Sequence, residues 1–388
     1  SENGHTLVAA AWKNDERALY AGAVRVYTLV GSVWEQLGQD VYGFIEREFF
    51  GQSVDISNDG RTIVGGGFGS GLSNAIARVS TLSDAGPIAP TSMPSLMPSP
   101  FPSTLAPINP ISAIWLKRGP DIHGIGSHVD NRGSVAISGD GSVIAIGSPD
   151  VQVHRYDRWG GLTQMGESIS DDKRNQLAVA LNEDGSILVV GDPGYYTSDL
   201  DAVRVYLFNG HRWARTATLP TPSSVGNYWG TKIAFSRNGR VVASRGDSGP
   251  VVAYEFDEDE FVWKRREDNN VGGGEDRWGG LALSRDGRIL AVGIRTVNSN
   301  TGEVKVYEWI EGGGFWRQIG QTLTGSFVDN YFGQAVSLSG DGDILAIGGQ
   351  YPVLGGYIQV FQKSSNGQWI QLGQTINGKQ VGEEFGYS

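Results

Sequence analysis

The sequence predicts an all-β fold made of seven similar repeats, and three observations predict it. Along the 388 residues a hairpin pattern recurs seven times, a strand of alternating apolar and polar residues follows each hairpin, and a tryptophan recurs in each repeat. A period near 50 residues in a sequence of strands is typical of a β-propeller, with one blade for each repeat. The sequence therefore predicts a single domain, a seven-bladed β-propeller with four antiparallel strands per blade.

The hairpin is clearest between Ala335 and Gly348. Val336 and Leu338 alternate with polar neighbours, as on a half-buried strand, and a Gly-Asp-Gly turn follows that tolerates positive φ. A short apolar run then forms the second strand. Measured between turn glycines, the copies are 56, 81, 44, 54, 48 and 55 residues apart, with these glycines at positions 4, 60, 141, 185, 239, 287 and 342.

A third and a fourth strand complete each repeat. Residues 23–27 and 303–307 alternate apolar and charged side chains, as expected for a strand with one face in the core. A tight polar turn then leads into a fourth strand near a tryptophan, which we interpret as structural. The seven tryptophans are Trp34, Trp115, Trp159, Trp213, Trp263, Trp316 and Trp369, and the blades span approximately 1–50, 51–132, 133–176, 177–229, 230–279, 280–333 and 334–388.

The two ends of the sequence predict how the ring closes. Compared with the last complete repeat, three residues have no counterpart between Ser388 and Ser1, namely Val336, Ser337 and Leu338. We expect the terminal segments to pair, with Ser1 and Ser388 within roughly 13–15 Å of each other. The first blade then lacks its innermost strand. Because an unpaired edge is unfavourable, we expect the natural chain to continue past Ser388 or another strand to fill the gap.

Blade two contains an insertion, which explains the long step of 81 residues. The stretch 83–112 is rich in proline and serine and has few charges, for example Pro-Ser-Leu-Met-Pro-Ser-Pro at 94–100. Such a composition does not pair in a sheet. We expect an extended, mobile excursion between the third and fourth strands of this blade.

The repeat resembles the FG-GAP-type repeats of integrin-alpha-like propellers, in the variant found in microbial and algal surface proteins. The resemblance rests on an aromatic residue followed by glycine, as at Phe332-Gly333, and then on S-x-D-G-x-x-L-A-x-G and V-x-V-Y. It implies the propeller fold and an adhesive or scaffolding role. The calcium-binding members carry D-x-D-x-D-G, which only Asp55-x-Ser57-x-Asp59 approaches, so we expect no metal in these turns and no cofactor.

Composition limits the partners. The formal net charge of −11 disfavours nucleic acid and anionic membranes, which both require a basic surface. There is no cysteine, which excludes disulfides and thiolate sites, and no apolar run long enough to insert into a membrane. We expect a partner that is another protein or a polysaccharide, and an extracellular or cell-wall location.

The loops between strands two and three and between blades are the predicted binding surface, because they are long and irregular. They contain aromatic side chains beside carboxylates, a combination that suits a sugar ring and its hydroxyl groups. The candidate residues are Trp12, Tyr195, Tyr196, Asp199, Asp201 and Tyr351.

A second candidate is the tripeptide Arg245-Gly246-Asp247, which matches an integrin-recognition sequence. It falls in a predicted loop between strands two and three. In a sequence with 57 glycines such a match arises easily by chance, so it is a weak adhesive motif.

Catalytic motifs are lacking in the sequence. The five histidines have no metal-ligand spacing, and there is no G-x-S-x-G elbow. We therefore predict no catalytic residues and no enzyme activity. The predicted function is a non-catalytic interaction, structural or adhesive module, with a carbohydrate-binding propeller as the alternative. A hydrolase is the third possibility, and it would require an acid/base pair that converges in the central funnel.

Overall fold

The computed structural model describes residues 1–68, 75–83, 113–124, 134–148, 150–170, 178–192, 202–221, 229–246, 249–266, 271–272, 276, 279–350 and 355–388. These residues form thirty-two strands in seven antiparallel sheets, together with a single helical turn. The predicted all-β, seven-bladed propeller is confirmed. In the described part of the chain no helix has the length and apolarity that a bilayer crossing requires.

Each sheet is one blade, and its strands follow the order of the chain. Blade 1 holds β1 (Thr6–Ala11), β2 (Ala23–Val30), β3 (Val33–Gln36) and β4 (Val41–Tyr42); blade 2 holds β5 (Ser53–Ile56), β6 (Thr62–Phe68), β7 (Ala75–Ser83), β8 (Ile114–Lys117) and β9 (Ile122–His123); blade 3 holds β10 (Ser134–Ile137), β11 (Val143–Gly147), β12 (Asp150–Tyr156), β13 (Leu162–Gln164) and β14 (Ile169–Ser170).

The other four blades repeat this order. Blade 4 holds β15 (Ala178–Leu181), β16 (Ile187–Gly191), β17 (Val203–Phe208) and β18 (Trp213–Leu219); blade 5 holds β19 (Lys232–Phe235), β20 (Val241–Arg245), β21 (Val252–Asp257) and β22 (Val262–Arg265); blade 6 holds β23 (Leu281–Leu283), β24 (Ile289–Ile294), the turn α1 (Val297–Asn300), β25 (Glu303–Ile310), β26 (Phe315–Gln318) and β27 (Leu323–Thr324); blade 7 holds β28 (Ala335–Leu338), β29 (Ile344–Gly349), β30 (Tyr357–Lys363), β31 (Trp369–Gln371) and β32 (Ile376–Asn377).

The first strands of blades 2 to 7 surround a central channel. From blade 2 to blade 6, each contacts the first strand of the next blade, as β5 contacts β10 and β23 contacts β28. Blade 1 differs, because the innermost strand of its sheet in the described residues is β1, which corresponds to the second strand of the other blades. Blade 1 therefore has one strand fewer on its channel side.

The core lies between neighbouring blades rather than within them. Val54 and Ile56 of blade 2, for example, pack on a cluster that includes Val24 and Val26 of blade 1. The aromatic residue that precedes several of the repeats is part of this core: Phe50 is buried, and Gly51 after it has a φ of 92°, a backbone conformation that favours glycine. Burial of such side chains between blades makes each interface a small hydrophobic core of its own.

The repeated tryptophans also join neighbouring blades. The Nε1 group of Trp115 donates to the carbonyl of Leu37 in the preceding blade at 2.7 Å, and Trp34 donates in the same way to Leu372 at 2.9 Å. Trp159 is the exception to the predicted pattern, because its side chain is 81% exposed in the turn before β13. In that blade Leu162 packs in the core instead.

A belt of backbone hydrogen bonds joins the seven turns between the first two strands. The N–H of Glu2 donates to Asn58, and each turn donates in the same way to the turn of the next blade until Gly340 donates to Glu2. At the opposite end of β1, Gly386 donates to the carbonyl of Ala10 at 3.0 Å. Both terminal segments thus hydrogen-bond within blade 1 and to its neighbours.

The predicted insertion, 83–112, falls outside the described residues except for Ser83. Ser83 is paired with Ile114, so the insertion joins two residues that face each other at the end of a hairpin.

Candidate functional site

The turns of the backbone belt present their second residues to one mouth of the central channel. We call these seven residues the turn ring; they are Glu2, Asn58, Gly139, Glu183, Arg237, Arg285 and Gly340. They occupy the variable position of the S-x-D-G motif, once in each blade. Residues that lie about 50 positions apart in the sequence thereby meet at the axis.

The serine and aspartate of the motif stabilise the turn by hydrogen bonds. In blade 2 the Ser57 hydroxyl donates to Asp59 at 2.6 Å and accepts the N–H of Thr62 at 2.9 Å. In blade 3, burial disfavours ionisation of Asp140, but hydrogen bonds from Ser138 and Ser142 outweigh it and lower the pKa of Asp140. Because these oxygens serve the turn, the residue between them is the one that varies between blades.

Arg285 connects carboxylates from two other blades. Its Nη2 lies 2.6 and 2.5 Å from the two carboxylate oxygens of Glu183, and its Nη1 lies 3.0 Å from Glu2. The hydrogen bonds with Glu183 are the main reason why the pKa of Arg285 is raised. Asn58 donates to the same Glu183 carboxylate at 3.4 Å. Four blades thus contribute to one polar network.

Arg237 extends from blade 5 to the opposite side of the channel. Its guanidinium donates to the carbonyl of Ile137 at 2.6 Å and lies 3.3 Å from Asp55. Asp55 also accepts the N–H groups of Ile137 at 2.9 Å and Ile56 at 2.8 Å, which fix its carboxylate against the channel wall. Two guanidinium groups and three carboxylates therefore converge at this mouth.

Two glycines of the turn ring make room for the charged neighbours. A Cβ atom on Gly340 would lie 2.5 Å from the carboxylate of Glu2, and one on Gly139 would lie 2.9 Å from Cγ of Glu183. The space beneath the charged groups is a cavity of about 240 Å³. Glu2, Asn58, Arg237 and Arg285 are among the residues that line it.

This arrangement supplies the groups needed for hydrolysis of a carbonyl compound. A carboxylate can accept a proton from water, and a guanidinium can stabilise the negative charge that develops on a carbonyl oxygen. The described residues contain no cluster of three or more histidine, cysteine, aspartate or glutamate side chains that would hold a metal ion.

The predicted ligand-binding residues lie elsewhere. Trp12 follows β1 at the end opposite the turn ring, where its ring packs on Phe49 and Tyr387 with centroids 5.5 and 5.2 Å apart, and its Nε1 donates to Glu384 at 3.0 Å. The remaining candidates are outside the described residues; they are Tyr195, Tyr196, Asp199, Asp201 and Tyr351.

The tripeptide at 245–247 does not present its arginine at the surface. The Arg245 side chain is 1% exposed and donates to the carbonyl of Gly293 at 2.8 Å, and burial lowers its pKa. Gly246 is buried as well, and Asp247 lies outside the described residues. An adhesive role for this motif is therefore corrected, because its arginine belongs to the interface between blades 5 and 6.

The sequence patterns do not predict the charged mouth. Glu2, Glu183, Arg237 and Arg285 belong to no known motif, and Asp55 was noticed as a possible calcium ligand alone. A signal was present, however. When the seven copies are aligned, the second residue of the turn is the position that varies among glutamate, arginine, asparagine and glycine, whereas the residues around it are nearly constant.

Comparisons with known proteins find the fold of this chain in solved structures, but they do not assign the chain to a family. No family model matches the chain, and no curated protein sequence is similar to it. A protein from Bacteroides uniformis that is provisionally named a 6-phosphogluconolactonase has a TM-score of 0.65 and 11% identity, with 98% of both chains covered. The periplasmic gluconolactonase of Pseudomonas aeruginosa has a TM-score of 0.60 and 17% identity, covering 96% of this chain and 95% of that one.

A third similar structure is the β-propeller domain of Cps50 (Swd1) from Myceliophteria thermophila, with a TM-score of 0.52 and 10% identity over 85% of this chain and 87% of that one. At such identities the likeness shows the fold alone. Two predictions are corrected by this finding. The non-catalytic interaction or carbohydrate-binding module and the absence of enzyme activity do not follow from the fold, because propellers named as lactonases match this chain over nearly its whole length.

Proposed function

We propose that the chain is a hydrolase of cyclic esters of sugar acids, and that its active site is the charged mouth of the central channel. The observation that carries the proposal is the convergence of carboxylates and guanidinium groups from different blades, as in the contact of Arg285 with both Glu183 and Glu2. The names of two full-length structural neighbours support the choice of a lactone as substrate.

The proposed reaction assigns Glu183 as the general base. Its carboxylate takes a proton from water, the water oxygen attacks the lactone carbonyl carbon, and the ring C–O bond breaks. The proton passes to the departing ring oxygen, so the product is an open-chain hydroxy acid. Arg285 lies against Glu183 and Arg237 lies across the channel, so both bring positive charge to the carbonyl oxygen of the transition state.

Two further proposals concern the location of the protein and the family of its repeats. We propose that the protein is exported, which is supported by the neighbour named as periplasmic. We also propose that the repeats are of the FG-GAP type, which is supported by the aromatic-glycine and S-x-D-G motifs.

The experiment measures proton release from glucono-δ-lactone and from its 6-phosphate, with spontaneous hydrolysis in buffer as the baseline. Glu183→Gln keeps the shape of the side chain but removes the base, and we expect kcat/KM to fall at least about 100-fold. The matched control is Glu258→Gln, which removes an exposed carboxylate that pairs with Arg240 away from the channel.

Two outcomes contradict the proposal. Hydrolysis by the unaltered protein no faster than in buffer, for both lactones, means that it has no such activity. Hydrolysis that Glu183→Gln and Glu258→Gln affect equally means that the reaction takes place at another site.

A further inference from the structure

The charged mouth carries one more negative than positive side-chain charge, since it combines three carboxylates with two guanidinium groups. The next residue of the turns adds further negative charge around the mouth; it is an aspartate in five blades, namely Asp59, Asp140, Asp184, Asp286 and Asp341. Arginines follow the turn glycine in three blades, at 61, 240 and 288. Carboxylates therefore outnumber cationic side chains both at the mouth and around it.

Both guanidinium groups already have acceptors in the mouth. Each terminal nitrogen of Arg285 donates to a carboxylate, and each terminal nitrogen of Arg237 donates to a carbonyl or carboxylate oxygen. Proteins commonly recognise phosphate with arginine side chains that offer several donors to one anion. A phosphate group at this mouth would have to displace the carboxylates that these two arginines already contact.

The main-chain N–H groups of the turn ring are engaged as well. A cradle of free N–H groups is the other common receptor for phosphate. Here six of the seven turn-ring residues donate their N–H to the carbonyl oxygen of the next turn at 2.7–2.9 Å; they are Glu2, Asn58, Gly139, Glu183, Arg285 and Gly340. The backbone belt thus uses the donors that would otherwise face an anion.

The groups that remain accessible at the mouth are acceptors. The side chains of Glu2, Asp55 and Glu183 are 29%, 27% and 38% exposed. A hydroxyl group donates a charge-assisted hydrogen bond to a carboxylate, whereas a phosphate dianion has no proton to donate. The mouth therefore attracts hydroxyl groups and repels a further anion.

The carboxylate of Glu2 has a fixed place in this arrangement. It accepts from Nη1 of Arg285 at 3.0 Å, and Gly340 leaves room for it, since a Cβ atom there would lie 2.5 Å from the carboxylate. Glu2 and Gly340 both line the cavity of about 240 Å³. Because the proposed reaction assigns proton transfer to Glu183, the charge of Glu2 can be changed without removing the base.

We propose that the charged mouth selects uncharged, polyhydroxylated lactones and rejects lactones that carry a phosphate group. The inference rests on the proposed hydrolase function and names the substrate class of the same site. Glu2 is the residue that determines this specificity, because its carboxylate makes the mouth negative and contacts the cavity but takes no part in the proton transfer.

The test uses two lactams, glucono-δ-lactam and its 6-phosphate, in which an N–H replaces the ring oxygen and resists hydrolysis. Titration calorimetry in buffer of low ionic strength measures their Kd values for the full chain, and kcat/KM is measured in parallel for the two lactones. We expect the uncharged lactam to bind at least about 10-fold more tightly than the phosphorylated lactam, and kcat/KM to differ in the same direction.

Variants of Glu2 test its role. Glu2→Lys reverses one charge at the mouth and should reduce the preference for the uncharged lactam at least about 10-fold. Glu2→Gln keeps the shape of the side chain and should reduce the preference by a smaller factor, which still tests the role if Glu2→Lys does not fold. The matched control is Glu258→Lys, which changes the net charge equally at an exposed carboxylate that pairs with Arg240, and it should leave the preference unchanged.

The outcomes separate this inference from the hydrolase proposal. Tighter binding of the uncharged lactam without hydrolysis of either lactone supports the selection by charge and contradicts the hydrolase. Hydrolysis together with equal or tighter binding of the phosphorylated lactam supports the hydrolase and contradicts the selection. Binding of neither lactam contradicts the selection too. Equal effects of Glu2→Lys and Glu258→Lys on the preference contradict the role of Glu2.

Discussion

Blade 1 and blade 6 follow the same repeat pattern but differ where they face the central channel. In blade 6, β23 covers the inner edge of β24 and Ala291 is fully buried, whereas in blade 1 the equivalent Val8 is partly exposed. The outer strands are nevertheless alike, since Val8 pairs with Val26 as Ala291 pairs with Val306. The comparison teaches that the outer strands keep their register without an inner strand, because the core of each repeat is shared with its neighbours.

The junctions of the two blades differ as well. Arg25 of blade 1 is fully buried, and its guanidinium donates to both oxygens of Glu383 at 2.8 and 2.9 Å and to Asp40 at 2.8 Å. Between blades 6 and 7 the place of Glu383 is taken by Asn330, which donates to the hydroxyl of Tyr357 at 2.6 Å. A buried ion pair therefore joins blades 7 and 1, where the inner strand is missing.

The largest effect is expected from the tryptophans of the outer strands. Trp34→Ala in blade 1 and Trp316→Ala in blade 6 should each lower the free energy of unfolding by about 3–5 kcal/mol, because both side chains are buried between blades. Trp159→Ala, which removes an exposed ring, should cost less than about 0.5 kcal/mol. Urea denaturation measures all three. A much smaller cost for Trp34 than for Trp316 would mean that blade 1 is loosely packed throughout.

A slightly smaller effect is expected from the ion pair that joins blades 7 and 1. Glu383→Gln should cost about 3 kcal/mol, because it leaves the buried guanidinium of Arg25 without its bidentate carboxylate. The control is Glu384→Gln, whose carboxylate is partly exposed and pairs with Lys13, and it should cost less than about 1 kcal/mol. Equal costs would show that the buried pair has no special role at this junction.

Acid should remove the same contribution in the unaltered protein. Burial disfavours ionisation of Glu383, but the hydrogen bonds from Arg25 outweigh it, so the folded-state pKa is below the ordinary value of 4.5. The stabilisation is therefore complete above pH 4.5 and is lost as the pH falls through the lower folded-state pKa. The stability difference between the unaltered protein and Glu383→Gln should narrow below this pH. A difference that stays constant down to pH 2.5 would contradict the assignment.

A small effect is expected at the hairpin that carries the insertion. In this hairpin Ser83 is paired with Ile114. In the corresponding hairpin of blade 6, Ile310 is paired with Phe315, and four residues form the turn between them. Replacing 84–112 by Gly-Asn-Gly, with Ala113 kept as the fourth residue, should change the free energy of unfolding by less than about 1 kcal/mol. Loss of folding would mean that the insertion packs on the propeller.

Most of the fold can be predicted from the sequence, because a propeller repeats one pattern. The period of the turn glycines predicts the seven blades, and the comparison of Ser388 and Ser1 with a complete repeat predicts the missing inner strand. Trp159 departs from the pattern of the repeated tryptophans, because it lies in the turn, three residues before β13 begins at Leu162, and its ring is exposed. Local pattern fixes strands better than it fixes individual contacts.

The charged mouth could not be predicted in the same way. Arg237 and Asp55 are 182 positions apart, and Arg285 and Glu183 are 102 positions apart. Such pairs meet because the ring brings blades 2, 4, 5 and 6 to a common axis, and no local pattern encodes that approach. The site therefore depends on the assembled ring rather than on any one repeat.

The backbone belt separates the size of the channel mouth from its chemistry. Main-chain atoms link every turn to the next, from Glu2 through Asn58 and onward to Gly340, so the diameter of this opening is set by peptide groups that every residue except proline has. The side chains of the turn ring project from this backbone belt but do not form it. A substitution there alters charge, donors or acceptors at the rim while the aperture stays the same, which makes the rim a place where new specificities can arise without loss of the architecture.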